Sequence, residues 1–263
     1  MKSNIAKYIK VKNESNEKIL SVFLTAGFPD KSKFTELALD VLNAGADMLE
    51  IGFPFSDPIA DGPVIQQSSQ WALSKEINLE TTLHFASGIK NHTDKPIILM
   101  GYANPVLSYG VNNFINDCLN SGIDGLIIPD IPVEEYDEFF PPHKKKPDVI
   151  LLVTPTTPEE RIKLIDGKSS GFVYCVSVTG TTGIREKAHP NNTDFIKRTK
   201  SLCTNNPVLV GFGISSAQDV HTYKPHCDGV IVGSAVIKSL TNSNGNYDKT
   251  LKLVRKLKNA LTD

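Results

Sequence analysis

The chain has 263 residues, of which 40% are hydrophobic, and a formal net charge of -1. This length and apolar content allow either one large α/β barrel or two smaller domains with a substantial core. The nearly balanced charge does not indicate nucleic acid or an anionic membrane as the main partner.

Short apolar runs recur along the chain and predict strands, because β-branched residues dominate them and polar alternation is weak. They cover residues 19–25, 47–51, 96–100, 125–128, 149–153, 172–177, 208–211 and 229–232. Between them lie segments with helical spacing, among them 32–43, 79–90, 112–120, 158–166 and 194–203. Eight alternating units in a chain of this length predict a parallel (β/α)8 barrel. An open doubly wound sheet is the alternative, but it usually has fewer strands, and no GxGxxG motif follows the first run.

Both ends of the chain add helices to this pattern. Residues 4–12 predict an extra helix that closes the bottom of the barrel, where the strands begin. Residues 247–261 place Leu251, Val254 and Leu257 on one helical face, which predicts a helix packed on the outside. We therefore expect residues 1–263 to form one α/β domain, a TIM barrel with an extra N-terminal helix and extra helices in the βα loops.

Cysteines and termini bear on the cellular compartment. The four cysteines are widely spaced without a CxxC pair, which is typical of reduced, structural thiols in a cytosolic protein. The N-terminus lacks an apolar core of signal-peptide length, and no apolar run reaches transmembrane length. We expect a cytoplasmic protein, or a plastid form that lacks its transit peptide.

The segment LEIGFPFSDPIADGP, residues 49–63, is the most informative part of the chain. Glu50 lies inside an apolar run that otherwise predicts a buried strand, and a carboxylate is seldom buried without a partner. A structural glutamate paired with a base or with backbone donors is one interpretation. Asp61 follows on a loop rich in glycine and proline, and this second acid favours a catalytic role.

The ends of the other predicted strands narrow the chemistry, because functional groups of such barrels lie at the C-terminal ends of the strands. No lysine occurs there, so a Schiff-base mechanism has no nucleophile. No histidine occurs there either, so we expect no catalytic metal. Acid–base chemistry by carboxylates remains.

Glycine-rich segments follow the last three predicted strands, at residues 180–183, 211–213 and 233–235. Glycine lets backbone N–H groups approach an anion, and loops after strands seven and eight of this fold commonly bind phosphate. Ser234 would also begin a short helix, whose N-terminus favours an anion. Tight turns without a ligand are the alternative. The predicted phosphate-binding residues are Gly183, Gly211, Gly213, Gly233 and Ser234.

With these motifs the chain resembles the tryptophan synthase α subunit family. The resemblance rests first on residues 49–62 and then on further motifs in family order. These are YANP at 102–105, PDIP at 129–132, GTTG at 180–183, GFGIS at 211–215 and GSA at 233–235. The similarity extends from about residue 19 to the C-terminal helix.

The resemblance implies cleavage of indole-3-glycerol phosphate to indole and glyceraldehyde 3-phosphate, a retro-aldol reaction in the last stage of tryptophan biosynthesis. It implies that Glu50 is the general acid/base that protonates indole C3, and that Asp61 holds the indole N–H and stabilises positive charge on the ring. Tyr174 matches a supporting tyrosine. The apolar wall for the indole is expected from Phe23, Tyr102, Ile127 and Phe212.

The resemblance also implies a partner, the tryptophan synthase β subunit, in an α2β2 tetramer. The cofactor PLP would lie in that partner, and this chain would carry none. Residues 54–62 are expected to form a mobile lid at the interface. Two departures from the family occur: Val178, where some members have arginine, and the short segment 141–147, expected at the bottom of the barrel.

Two alternatives stay open at this point. One is an isomerase or epimerase of a sugar phosphate on the same fold, which would use similar phosphate loops with a different acid/base set or a metal. The other is a catalytically idle subunit that binds ligand and regulates a partner.

Overall fold

The computed structural model describes residues 4–140, 145–177, 190–211 and 213–262. Eight parallel strands pair in chain order, and β8 pairs with β1 to close a barrel. The predicted TIM barrel is therefore confirmed. The strands are β1 Ile19–Thr25, β2 Met48–Gly52, β3 Ile97–Met100, β4 Gly125–Ile127, β5 Asp148–Val153, β6 Val173–Val176, β7 Val208–Gly211 and β8 Gly229–Val232.

Helices surround the barrel, and the loops after β2, β3 and β8 each contain two of them. This arrangement confirms the expected extra helices, one before β1 and others in the βα loops. The helices are α1 Asn4–Glu14, α2 Phe34–Asn43, α3 Pro63–Ser74, α4 Leu79–Lys90, α5 Ala103–Tyr109, α6 Val111–Asn120, α7 Tyr136–Phe139, α8 Glu159–Lys168, α9 Pro190–Leu202, α10 Ala217–Tyr223, α11 Ser234–Thr241 and α12 Asp248–Thr262.

Helix α1 closes the bottom of the barrel, as its apolar spacing predicts. Its side chains Ile5 and Ile9 are fully buried. A Cβ atom on Gly125, at the start of β4, would lie 2.8 Å from Cδ1 of Ile5 and 2.8 Å from Cδ1 of Ile150. Glycine at this position lets the helix and the strands pack without a clash, so the interior is sealed at this end.

Helix α3 is the largest element that the sequence pattern does not predict. Polar residues interrupt its apolar face, and its buried residues are Ser68, Ser69 and Ala72. A start signal was nevertheless present, because Pro63 occupies the first turn directly after Gly62. The helix matters for function because it packs beside the loop that follows β2.

Aspartates before β2, β4 and β8 connect neighbouring strands at the bottom of the barrel. Each carboxylate accepts a backbone N–H from the preceding strand and pairs with a helical lysine. The N–H of Leu20 donates to Asp47 at 2.9 Å, that of Ile97 donates to Asp124 at 2.9 Å, and that of Val208 donates to Asp228 at 2.7 Å. The lysines are Lys258, Lys90 and Lys200, in the same order. These contacts stabilise the end of the barrel that faces away from the mouth.

Replacing Asp228 by alanine should lower the free energy of unfolding by about 1–3 kcal/mol, because the buried N–H of Val208 would lose its acceptor. Asn13 and Lys200 would lose the same partner. Urea unfolding followed by circular dichroism measures the change, with Asp94→Ala on the exposed surface as the matched control. Equal stability of the two variants would show that the aspartate contacts contribute little.

Candidate active site

Glu50 points into the barrel from the middle of β2, between Phe23 of β1 and Ile98 of β3. It is fully buried. The Oγ of Ser21 donates a hydrogen bond to its Oε1 at 2.8 Å, while Oε2 has no hydrogen-bond partner in the described part of the chain. Burial raises the pKa of Glu50 from 4.5 to about 8, and the Ser21 hydrogen bond opposes part of this rise. Glu50 is therefore largely protonated at neutral pH.

These contacts bear on the structural interpretation of Glu50. That interpretation requires a base or backbone donors around the carboxylate. The residues described in the structure place no cationic side chain in an ion pair with Glu50, and its one hydrogen bond comes from a hydroxyl. A buried acid without a charged partner is typical of a group that holds a proton for transfer.

Asp61 lies in the loop after β2 and is also buried. The hydroxyl of Tyr102 donates to its Oδ2 at 3.0 Å and accepts the N–H of Ala60 at 3.1 Å. Burial raises the pKa of Asp61 from 3.8 to about 6, and the Tyr102 hydrogen bond works against this rise. Most of Asp61 is therefore ionised at neutral pH, in contrast to Glu50.

Tyr102 has a second role that its apolar ring did not suggest. The sequence places it in the wall of an aromatic pocket, and its ring does stack on Phe55 with centroids 5.3 Å apart. Its hydroxyl, however, is the group that holds Asp61. Burial, followed by the charge of Asp61, raises the pKa of Tyr102, so the phenol remains a hydrogen-bond donor.

Helix α3 anchors both ends of the loop formed by residues 54–62. At the first end, Oγ of Ser69 accepts the N–H of Phe55 at 3.0 Å and donates to its carbonyl at 3.1 Å. At the second end, Nε2 of Gln66 donates to the carbonyl of Asp61 at 2.9 Å. The middle of the loop is exposed, and the side chain of Ile59 is 76% exposed. Helix α3 therefore fixes both ends of the loop, and the N–H of Ala60, which donates to the Tyr102 hydroxyl, tethers its exposed middle.

Tyr174 of β6 is buried between the strand ends. Its pKa is raised, first by burial and then by the charges of Glu50 and Asp61, so its phenol lies within the field of both carboxylates. A Cβ atom on Gly211 would lie 2.1 Å from the Tyr174 hydroxyl oxygen. Gly211, which the sequence suggests for phosphate binding, therefore gives Tyr174 its space.

A small aromatic cavity lies beside Asp61 at the mouth. Its volume is about 20 Å³, which is about the room that one water molecule needs. A ring-sized ligand therefore enters only if surrounding side chains or the loop move. Glycine shapes the wall, since a Cβ on Gly101 would lie 2.2 Å from the ring of Phe53. Its aromatic lining consists of Phe23, Phe53, Phe55 and Tyr102.

The other predicted pocket residues lie elsewhere. Ile127 is fully buried in β4 and does not line this cavity; it pairs with Met100, which does. Phe212 and Gly183 lie outside the described residues, as do Val178 and the whole glycine-rich segment at residues 180–183. The sequence analysis missed Phe53 and Phe55, although both stand in the most informative motif.

The start of α11 is the part of the predicted phosphate site that the structure places best. The carbonyl of Gly233 accepts the N–H groups of Val236 and Ile237 at 2.9 and 3.0 Å, so the first N–H groups of the helix remain available at its partly exposed start. A Cβ on Gly233 would lie 3.3 Å from Cβ of Phe23, which lines the aromatic cavity. Gly213 adopts a φ of +75°, which favours glycine. An anion site here would adjoin an aromatic site.

Within the residues that the structure describes, no three His, Cys, Asp or Glu side chains are grouped so as to hold a metal ion. The expected metal independence stays a prediction. None of the described helices combines the length and apolar character needed to span a membrane.

Comparison with known proteins identifies the family. A family model described as tryptophan synthase alpha chain matches residues 9–262. The tryptophan synthase alpha chain of Petrotoga mobilis is 40% identical over 247 residues, which cover 94% of this chain and 95% of that protein. Tryptophan synthase subunit alpha from Legionella pneumophila superposes with a TM-score of 0.87 at 30% identity over 99% of both chains. A chain of Mycobacterium tuberculosis tryptophan synthase superposes over 100% of both chains, with a TM-score of 0.87 at 30% identity. These matches confirm the resemblance, and the chain belongs to the tryptophan synthase alpha chain family.

Proposed function

We propose that this chain cleaves indole-3-glycerol phosphate to indole and glyceraldehyde 3-phosphate, in the last stage of L-tryptophan biosynthesis. Membership of the family supports this lyase reaction. One observation in the site carries the proposal: two buried carboxylates near one barrel mouth have pKa values of about 8 and about 6. At neutral pH one holds a proton and the other a charge, as a reaction with a proton donor and a developing cation requires.

Glu50 supplies the proton in this mechanism. Its acidic proton goes to C3 of the indole ring, which becomes a cationic iminium. The resulting Glu50 carboxylate then takes the proton of the hydroxyl on the adjacent side-chain carbon. The C–C bond breaks, its electrons neutralise the iminium to give indole, and the hydroxyl carbon becomes the aldehyde. Glu50 ends the cycle protonated, so no external acid, metal or Schiff base is consumed.

Asp61 stabilises the cationic stage. Its carboxylate accepts the indole N–H and places a negative charge beside the nitrogen that becomes positive. Tyr102 holds this carboxylate in place through the 3.0 Å hydrogen bond. Tyr174 supports both acids from the opposite side, since its phenol lies in the field of each.

The start of α11, together with Gly213, is proposed to bind the substrate phosphate, and Gly183 and Gly211 belong to the same proposal. Changing Ser234 to aspartate should raise KM at least about tenfold, equivalent to about 1.4 kcal/mol, because a fixed negative charge would repel the phosphate. Aspartate in the first turn favours a helix, so the fold should persist. Steady-state kinetics with Ser234→Ala as the control measures the effect. An unchanged KM in Ser234→Asp would place the phosphate elsewhere.

A PLP-containing β subunit is the proposed partner, in an α2β2 tetramer. Two large apolar side chains are exposed on the loops of the barrel mouth: Ile59, and Leu107 on α5, which is 58% exposed. We propose that the partner covers these side chains. The loop of residues 54–62, fixed at both ends by α3, would close on substrate when the partner binds and so raise the cleavage rate.

Indole release is the direct test. The purified chain is incubated with indole-3-glycerol phosphate, alone and with the matching β subunit in excess, and indole is measured. Indole formation in both, faster with the β subunit, is the expected result. No indole under either condition would contradict the reaction, and conversion to an isomer would favour the isomerase alternative. An unchanged rate without complex formation in gel filtration would remove the partner but leave the lyase.

A further inference from the structure

We propose that Ser21 is a positioning residue for Glu50: its hydroxyl holds Oε1 and so keeps the acidic proton on Oε2, the oxygen that has no hydrogen-bond partner among the described residues. This inference rests on the proposed role of Glu50 as the catalytic acid. Ser21 lies outside the motifs on which the resemblance rests, and its polar side chain is unexpected in the apolar strand β1.

Ser21 and Glu50 form a buried pair inside the barrel. Ser21 is two residues before Phe23 in β1, and Phe23 is the Cα partner of Glu50, so Ser21 approaches the carboxyl from one layer deeper in the barrel. Both side chains are fully buried. Among the described residues, the Ser21 hydroxyl is the one hydrogen-bond partner of the Glu50 carboxyl, at 2.8 Å.

The number of unpaired buried groups decides which carboxyl oxygen of Glu50 carries the proton. With Ser21 donating to Oε1 and the proton on Oε2, one buried group lacks a partner, the Oε2–H itself. With the proton on Oε1 and donated to Ser21, two groups lack partners, the Ser21 hydroxyl hydrogen and Oε2. Each buried polar group without a partner is costly, so the first arrangement is favoured. Its unpaired donor is the proton that the reaction uses.

Ser21 also acts after the proton has left. Its O–H then stabilises the charged carboxylate, which lowers the pKa of Glu50 and makes it a stronger acid. Few other groups act on this carboxyl. Tyr174, on the opposite strand β6, interacts electrostatically with Glu50 and with Asp61. The strand partners of Glu50, Phe23 and Ile98, are apolar. Removing the Ser21 hydroxyl should therefore weaken the acid.

A matched pair of variants tests this role, Ser21→Thr and Ser21→Val, which differ in the hydroxyl but hardly in shape. The titration of Glu50 is followed in the free protein by carbon-13 NMR of its side-chain carboxyl, assigned with Glu50→Gln. We expect the pKa of Glu50 to be higher in the valine variant than in wild type and in the threonine variant. We expect kcat at neutral pH to fall at least about tenfold in valine, with KM little changed, and threonine to restore it.

The outcomes separate the two proposals. Equal Glu50 titration in the valine and threonine variants would overturn the role of Ser21, whatever the activity. A shifted titration with unchanged kcat would overturn the catalytic role of Glu50, and with it the positioning role. A merely structural serine would change the melting temperature without moving the Glu50 titration. If valine prevents folding, Ser21→Ala against wild type gives the same comparison.

Discussion

Replacing Glu50 by glutamine is expected to lower kcat for indole release at least about a hundredfold, the usual weight of general acid–base catalysis. Glutamine has the same shape but no transferable proton, so KM should change little. The measurement is steady-state indole release, with binding of a phosphate-bearing substrate analogue as the test that the site is intact. Near-normal turnover would remove Glu50 from the mechanism.

Stability gives an independent check on the same variant. The pKa of Glu50 rises from 4.5 to about 8 on folding, so the folded chain holds a proton that the unfolded chain releases between these values. The unfolded state therefore binds fewer protons in this window, and wild-type stability falls as pH rises through it. Glu50→Gln cannot titrate. The free energy of unfolding of Glu50→Gln, relative to that of wild type, should increase as the pH rises from 4.5 to about 8. Above that pH the difference between the two proteins should stay constant.

Replacing Asp61 by asparagine should also lower kcat by roughly a hundredfold, because a preorganised charge at a developing cation contributes that much. Asparagine can still accept the Tyr102 hydrogen bond, so the loop should keep its position. Indole release by the isolated chain measures the effect, with the exposed Glu135→Gln as a matched loss of one carboxylate. A mild effect, equal to that of the control, would show that the charge of Asp61 is not used.

The pH profile distinguishes the two acids. Activity requires Asp61 ionised, above a pKa of about 6, and Glu50 protonated, below a pKa of about 8. Wild-type kcat/KM should therefore follow a bell between these values. The acidic limb should disappear in Asp61→Asn, since no charge remains to be lost there. A profile that keeps this limb in the variant would assign it to another group.

The barrel fold could be predicted from the local hydrophobic pattern of each strand and helix. Strand β1 is buried along its whole length, and an unbroken apolar run is what a strand covered on both faces requires. The predicted strand bounds agree with the structure to within one residue. Helix α3 escaped prediction because its buried face is formed by small and polar residues, which carry little periodic signal.

The motif at residues 49–63 was enough to single out Glu50 and Asp61, because an acid within or beside an apolar run is apparent from the sequence. Their opposite protonation states were not visible there. Protonation depends on burial and on partners brought from far along the chain: Ser21 lies 29 residues from Glu50, and Tyr102 lies 41 residues from Asp61. Closing the barrel places these hydroxyls against the two carboxyls. Because desolvation acts in three dimensions, the difference between an acid and an anion arises in the folded chain.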